Sequence, residues 1–393
     1  MTSSEQSPSV ARGPALLRLG FRPFYLLAAL LAALGVPLWL AQYSQLLAPA
    51  GYLTGVLWHA HEMVFGFAAA VITGFLFTAA RNWTGFPTPT GWRLAGLAGV
   101  WLAARVLVAT GPAIPAALAD LMFLPLVALA LWFPLRRSGN RNLFFVALIL
   151  LFALANLGFH CARLGIVPVP ALLPARAALY LVVFIVALMS GRVIPAFTRN
   201  ALPRAQVHIS PRFDRAALAL LAAALLLALL QGPGGLLALC ALAGALMHGY
   251  RLWRWDPLAT RRQPILWILH LSYAWIPVGL LLLAGNALDV RVPAVLADHA
   301  LGVGAVGGMI IGMITRTARG HTGRPLEVGA AETAAYVLVH LAALARVVPG
   351  LIWAPAYLPG LVLSASLWST AFAVYAVVYW PILSQPRADG KPE

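Results

Sequence analysis

Between Arg22 and Leu383 the chain returns repeatedly to uncharged apolar runs of about 20 residues, the length an α-helix needs to cross a hydrocarbon core roughly 30 Å thick. Twelve such runs fall near residues 22–45, 57–80, 92–110, 114–134, 142–164, 174–198, 213–230, 234–253, 264–284, 293–315, 329–347 and 356–383. With 62% apolar and only 10% charged residues, the chain lacks the charge a water-soluble domain of this size needs on its surface. Alternating strands of about ten residues, the pattern of membrane barrels, do not occur. The expected fold is all-α: a polytopic membrane protein of twelve transmembrane helices forming a single membrane domain over residues 1–393.

The formal charge of +16 raises the question of nucleic acid, and its distribution answers it. Of the 27 Lys and Arg residues, 22 fall in or beside the two termini and the even-numbered loops and four by the odd-numbered loops, with Arg105 left inside a span. That asymmetry is the positive-inside pattern and predicts both termini in the cytoplasm. The basic face then meets anionic headgroups of the lipid membrane, and no nucleic acid is expected as a partner. Residues 1–13 are polar and lead into a full span, so no cleavable leader is expected. Cys161 and Cys240 lie within apolar runs at different depths, which predicts no disulfide.

Residues 61–87 and 299–325 are related without a gap at an offset of 238. Nine of 27 positions agree: His61/His299, Gly66/Gly304, Ile72/Ile310, Gly74/Gly312, Ala80/Ala318, Arg81/Arg319, Thr84/Thr322, Gly85/Gly323 and Pro87/Pro325. Half that offset lands near Gly191 and Arg199-Asn200, a fainter third copy. The spacing predicts three units, about 16–140, 141–262 and 263–384, each of four helices, in a pseudo-threefold arrangement. The matched segments become helices 2, 6 and 10, with the Arg-x-x-Thr-Gly-x-Pro runs as turns that end a helix.

Given that orientation, His59, His61, His160, His299 and His340 gather in the outer half of the membrane, while His248 and His270 lie toward the cytoplasm. A single histidine in a span is commonly a packing residue hydrogen-bonded across an interface, but polar groups in hydrocarbon also mark pathways and cofactors. His61 and His299, at matched depth on two helices, are expected to face each other as an axial pair for a haem b. His59 is about 200° around the helix from His61. It is expected to serve a second metal, with help from His160, His270 or His340. Glu62 either orients a ligating imidazole or caps the first turn. Arg105 pairs with Asp120 across a short hairpin or, alternatively, holds a haem propionate. The repeated glycines either let helices approach or leave room for a flat macrocycle.

Several local runs carry a resemblance. Leu19-Gly20-Phe21-Arg22-Pro23-Phe24, Trp58-His59-Ala60-His61-Glu62-Met63, Asn82-Trp83-Thr84-Gly85, Gly191-Arg192-Val193-Ile194-Pro195, Trp267-Ile268-Leu269-His270, His299-Ala300-Leu301 and Gly320-His321-Thr322-Gly323-Arg324 together resemble the NnrS family, from about residue 16 to 383. The resemblance implies a bacterial inner-membrane protein containing haem and copper, associated with denitrification and with resistance to nitric oxide and nitrosative stress. Nitric oxide or another small diatomic would be its ligand, and quinol or a cytochrome its electron donor. More distantly, the architecture is similar to the catalytic subunit of haem-copper oxidases and nitric oxide reductases, where histidines on helices 2 and 10 hold a haem. The chain departs from that pattern at copper, because expected helices 6 and 7 contain no histidine. Oxygen reduction with proton pumping is therefore not expected. The alternative function is a transporter of metal or small molecules that uses the histidines as a transit site, without redox turnover.

Overall fold

The computed structural model describes residues 13–391, and no strand forms among them. The polar stretch 1–12, where a leader would be sought, lies outside the described residues. Twelve long helices follow in chain order: α1 (Phe21–Tyr43), α2 (Gly55–Thr84), α3 (Gly91–Thr110), α4 (Ala113–Arg137), α5 (Phe144–Arg163), α6 (Leu172–Ala201), α7 (Pro211–Leu229), α8 (Gly234–Trp253), α9 (Pro264–Ala287), α10 (Ala294–His321), α11 (Ala330–Ile352) and α12 (Tyr357–Ser384). Eleven of them are long and apolar enough to cross a membrane. The exception is α7, 19 residues long, whose first turns carry Arg212, Asp214 and Arg215. Its apolar part is correspondingly short. At the other extreme α2, α6, α10 and α12, at 30, 30, 28 and 28 residues, are longer than a straight crossing of a bilayer needs.

Helix ends follow the local sequence. α2 ends at Gly85 in the left-handed conformation (φ 69°), and Gly323, at the equivalent point after α10, has φ 72°. Just before each glycine a threonine hydroxyl turns back onto the helix, Thr84 to the Ala80 carbonyl and Thr322 to the Ala318 carbonyl, both at 2.7 Å. The Thr-Gly runs thus end their helices as their turn chemistry predicts. α7 and α9 begin with proline, whose missing N–H is harmless in a first turn.

Every helix packs on its successor, and α12 returns to pack on α1, so the chain closes into a ring. Inside it α2, α6 and α10 touch one another. The seam of the ring near its two chain ends is fastened by Arg22, fully buried, whose guanidinium donates to the carbonyls of Leu383 and Gln385 at 2.7 and 2.8 Å. Beyond α12 the tail docks on the end of α10: Arg387 donates to the His321 carbonyl and the Ala388 amide to the Thr322 carbonyl. Arg387 also pairs with Asp389 and holds its carboxyl down at about 2.

α2 and α10 share an irregularity. In each, a regular first segment (Gly55–His61, Ala294–His299) gives way to π-helix (Glu62–Ala68, Ala300–Gly307) before regular α-helix resumes. The two π segments coincide at the offset of 238 that relates the sequences. A π turn changes the angular phase of everything beyond it, so the histidines of the first segments are turned relative to the later halves of their helices.

Candidate functional site

Two polar centres flank the N-terminal end of α2, one reached by His59 and the other by His61. The expectation that these residues address separate neighbourhoods corresponds to the geometry, but the partners are exchanged. His59, not His61, lies opposite His299: their ring centroids are 6.3 Å apart and the rings only 9° from parallel. His61 instead turns toward α4 and α5. The pairing read from the repeat assumed equal helical phase at equivalent positions; two residues of shift on α2 bring His59 rather than His61 to face His299.

The His59–His299 pair stands in a cavity of about 230 Å³ between α2, α6 and α10, completed by residues of α1, α11 and α12. Its α2 wall runs from Val56 to Ala68, a depth of roughly 18 Å at 1.5 Å per residue. The lining is largely apolar, with a charged rim: Arg176 pairs with Asp298 at 3.0 Å, and Tyr180 donates to the same carboxylate. The His299 Nδ1 hydrogen-bonds the Val295 carbonyl at 2.7 Å, which requires Nδ1 to carry the proton and leaves Nε2 as a lone-pair donor. Trp39 stacks on His59 at 4.3 Å.

Four residues lining this cavity hold buried polar atoms with no protein partner: Trp39 Nε1, His59 Nδ1, Arg346 Nε and Nη1, and Trp368 Nε1. Each such group carries a desolvation penalty of about 1–3 kcal/mol unless something meets it. Their gathering around one space is the signature of a ligand site. None of Trp39, Arg346 or Trp368 is prominent in the sequence. Arg346 falls at the edge of its apolar run and reads as a loop-side cation, whereas α11 continues to Ile352 and carries it inside.

The second centre is a closed network. His61 Nδ1 lies 3.0 Å from Glu62 Oε1, and its Nε2 lies 3.1 Å from Asp120 Oδ2 and 3.2 Å from Asn156 Oδ1. His160 Nε2 approaches the same Asp120 oxygen at 3.0 Å, and its Nδ1 the Tyr52 hydroxyl at 3.2 Å. Asn156 donates to Asp120 at 2.6 Å, and Arg105 forms an ion pair with Asp120 and lies 3.5 Å from Glu62. Arg105 is thus placed with Asp120 and Glu62 and is not among the residues lining the His59–His299 cavity. His61, Asp120 and His160 offer three ligand atoms within 4.8 Å of one another, all buried. Two carboxylates against one guanidinium leave the cluster one charge negative, which suits a proton or a cation. Asn156 and Tyr52 escaped the sequence reading; a lone asparagine in the apolar α5 was the available signal.

The remaining histidines stand apart from both centres. His270 on α9 lies 3.2 Å from the Leu266 carbonyl and 3.4 Å from Thr198. His340 on α11 accepts from Trp275 at 3.1 Å. His248 bridges Tyr273 and the Ala217 carbonyl. His208 is exposed in the loop after α6. The glycines inside the repeated helices are closed by neighbours rather than open: a side chain at Gly66 would meet Arg105, Leu31 and Glu62, and one at Gly304 the Trp275 ring.

Among family profiles, that of the NnrS protein matches residues 15–387, nearly the whole chain. The chain belongs to the NnrS family. No curated protein matches it. Family membership agrees with the many membrane-spanning helices in marking a multi-pass membrane protein of the nitric oxide response, and the buried His/Asp group is a feature a metal-binding member of the NnrS family would have.

Proposed function

We propose that this NnrS-family chain is a haem- and copper-containing protein of the bacterial inner membrane that binds or processes nitric oxide or derived nitrosative species. The observation that carries the reading is the His59–His299 pair. Two imidazoles sharing one ion through bonds of about 2.0 Å have ring centroids about 6 Å apart, close to the 6.3 Å here. The residues fit haem b in other respects: an apolar slot suits the macrocycle, and Arg346 with the unpartnered Trp39 and Trp368 N–H groups suits its carboxylates. His61, His160 and Asp120 fit copper, as imidazole-rich donors around a cluster that lacks one positive charge. When bound, the haem supplies a one-electron centre and a coordination place for a diatomic ligand.

The chain's own residues would divide the work. His299 is held in its ligating tautomer by Val295, Trp39 fixes the plane of His59, and the apolar wall excludes water. The three four-helix units of the sequence repeat correspond to α1–α4, α5–α8 and α9–α12. In that scheme α2, α6 and α10 are equivalent, and α2 and α10 supply the two imidazoles. A transit site for metal draws less support, since His61, Asp120 and His160 are 0–2% exposed and locked by hydrogen bonds.

The deciding experiment is an absorption spectrum and metal analysis of purified protein. A Soret band that shifts on adding nitric oxide, with copper in the preparation, is expected. A colourless protein that binds no added haem would end this reading.

A further inference from the structure

α11 carries a row of buried polar residues at helical spacing. Glu332, Tyr336 and His340 are each four residues apart and run along one side of the helix, and Arg346, six residues beyond His340, lies about 9 Å further along the axis and about 120° around from it. Together they cover about 21 Å along the helix, from its first turn to the central cavity. All are at most 7% exposed.

The lower end is tied to the cytoplasmic edge. Glu332 receives the Gly329 amide, Arg319 and the Tyr379 hydroxyl at 3.0, 3.1 and 3.3 Å. On its own this is a helix cap paired with an arginine. The row above it is not explained by capping. From α10 the Thr315 hydroxyl faces those of Tyr336 and Tyr379, and among the described residues neither it nor the Tyr336 hydroxyl meets a partner in good hydrogen-bonding geometry. At His340 the tautomer is fixed: Trp275 N–H only donates, so Nδ1 accepts and the proton sits on Nε2. That N–H is buried and meets nothing. At the top, Arg346 gives one nitrogen to the Tyr357 hydroxyl at 2.8 Å and leaves two unmet at the cavity. Unmet buried donors are satisfied by ordered water. One turn of helix, about 6 Å, is the reach of a single bridging water with a hydrogen bond on each side.

We infer that α11 lines a file of water that conducts protons from the cytoplasmic edge at Glu332, past Tyr336, Thr315 and His340, to the cavity at Arg346. Tyr336 and Thr315 both donate and accept, so an O–H bond breaks on one side as another forms on the other. His340, restricted to donating, orients the file. One proton enters below for each proton released above, and no group is changed. The purpose follows from charge: an electron delivered by a one-electron reductant to a buried centre is stabilised when a proton accompanies it. Delivery to a redox centre rests on the haem reading above; the file of water does not.

Two measurements separate these. Radiolytic hydroxyl-radical footprinting reports side chains next to ordered water. Tyr336 and His340 are expected to be modified at rates at least tenfold above equally buried controls such as Tyr273 and His248, whose polar atoms are met by protein. Rates equal to the controls would overturn the water file, whether or not haem is present. In vesicles holding the haem-loaded protein, chemical reduction should draw protons from the side of the termini. Tyr336→Phe and Thr315→Val, each removing one hydroxyl of the row and no residue of the haem cavity, should slow that uptake at least tenfold with the Soret band unchanged. Uptake at the wild-type rate in both variants would refute conduction along α11, whereas a protein without haem but with a labelled file would refute only the haem reading.

Discussion

At the residue scale the decisive fact is which imidazole faces which. His59 and His299 share the central cavity, so His59→Ala and His299→Ala are each expected to lose bound haem, measured as haem per protein by the pyridine assay. His61→Ala should keep it, and His208→Ala, in a loop, should be silent. The second centre responds differently. Asp120 is the hub of Arg105, His61, Asn156 and His160, and Asp120→Ala leaves a guanidinium buried beside a reduced set of acceptors. Breaking a buried pair costs about 3–5 kcal/mol, so a thermal melt in detergent should show a drop of several degrees or more. The sequence made the histidines legible as a group because ionisable residues in apolar runs are conspicuous. It hid Trp39, Arg346 and Trp368, whose importance lies in N–H groups without partners, a property of packing rather than of residue type.

At the element scale α2 and α10 carry π segments at equivalent positions, so the segments alone do not decide which imidazole of α2 faces His299. The offset of 238 identifies equivalent positions but not their angular phase, and it therefore paired His61 with His299. Removing one residue from Glu62–Ala68 should restore regular α-helix and turn the outer end of α2 by about 100°. The expected result is a folded protein, helical by circular dichroism, with the haem content of His59→Ala. Retention of full haem would show that the π turn does not aim His59. The helix boundaries were otherwise readable from hydropathy to within a few residues, with the largest shifts at α10, which runs on from 315 to 321, and at α11, which extends from 347 to 352 and thereby internalises Arg346. α7 shows the opposite error of scale: an apolar run is visible, but its charged first turns leave it short of the criterion the other eleven meet.

For the whole molecule, the charge asymmetry predicts that both ends of the chain face the cytoplasm. A fluorescent reporter at the C-terminus should therefore glow, and a phosphatase that needs the outer compartment should stay inactive there; the reverse pattern would invert every depth assigned to the histidines. The packing of α12 on α1, sealed by Arg22 on the carbonyls of Leu383 and Gln385, has a further corollary. In such a closed circuit the place where synthesis begins and stops is arbitrary to the finished architecture. Splicing tail to head through a flexible bridge and cutting the polypeptide anew in the segment between α6 and α7 would yield a permuted gene whose product rebuilds the same barrel of rods, with its fresh extremities on the same side of the bilayer as the old.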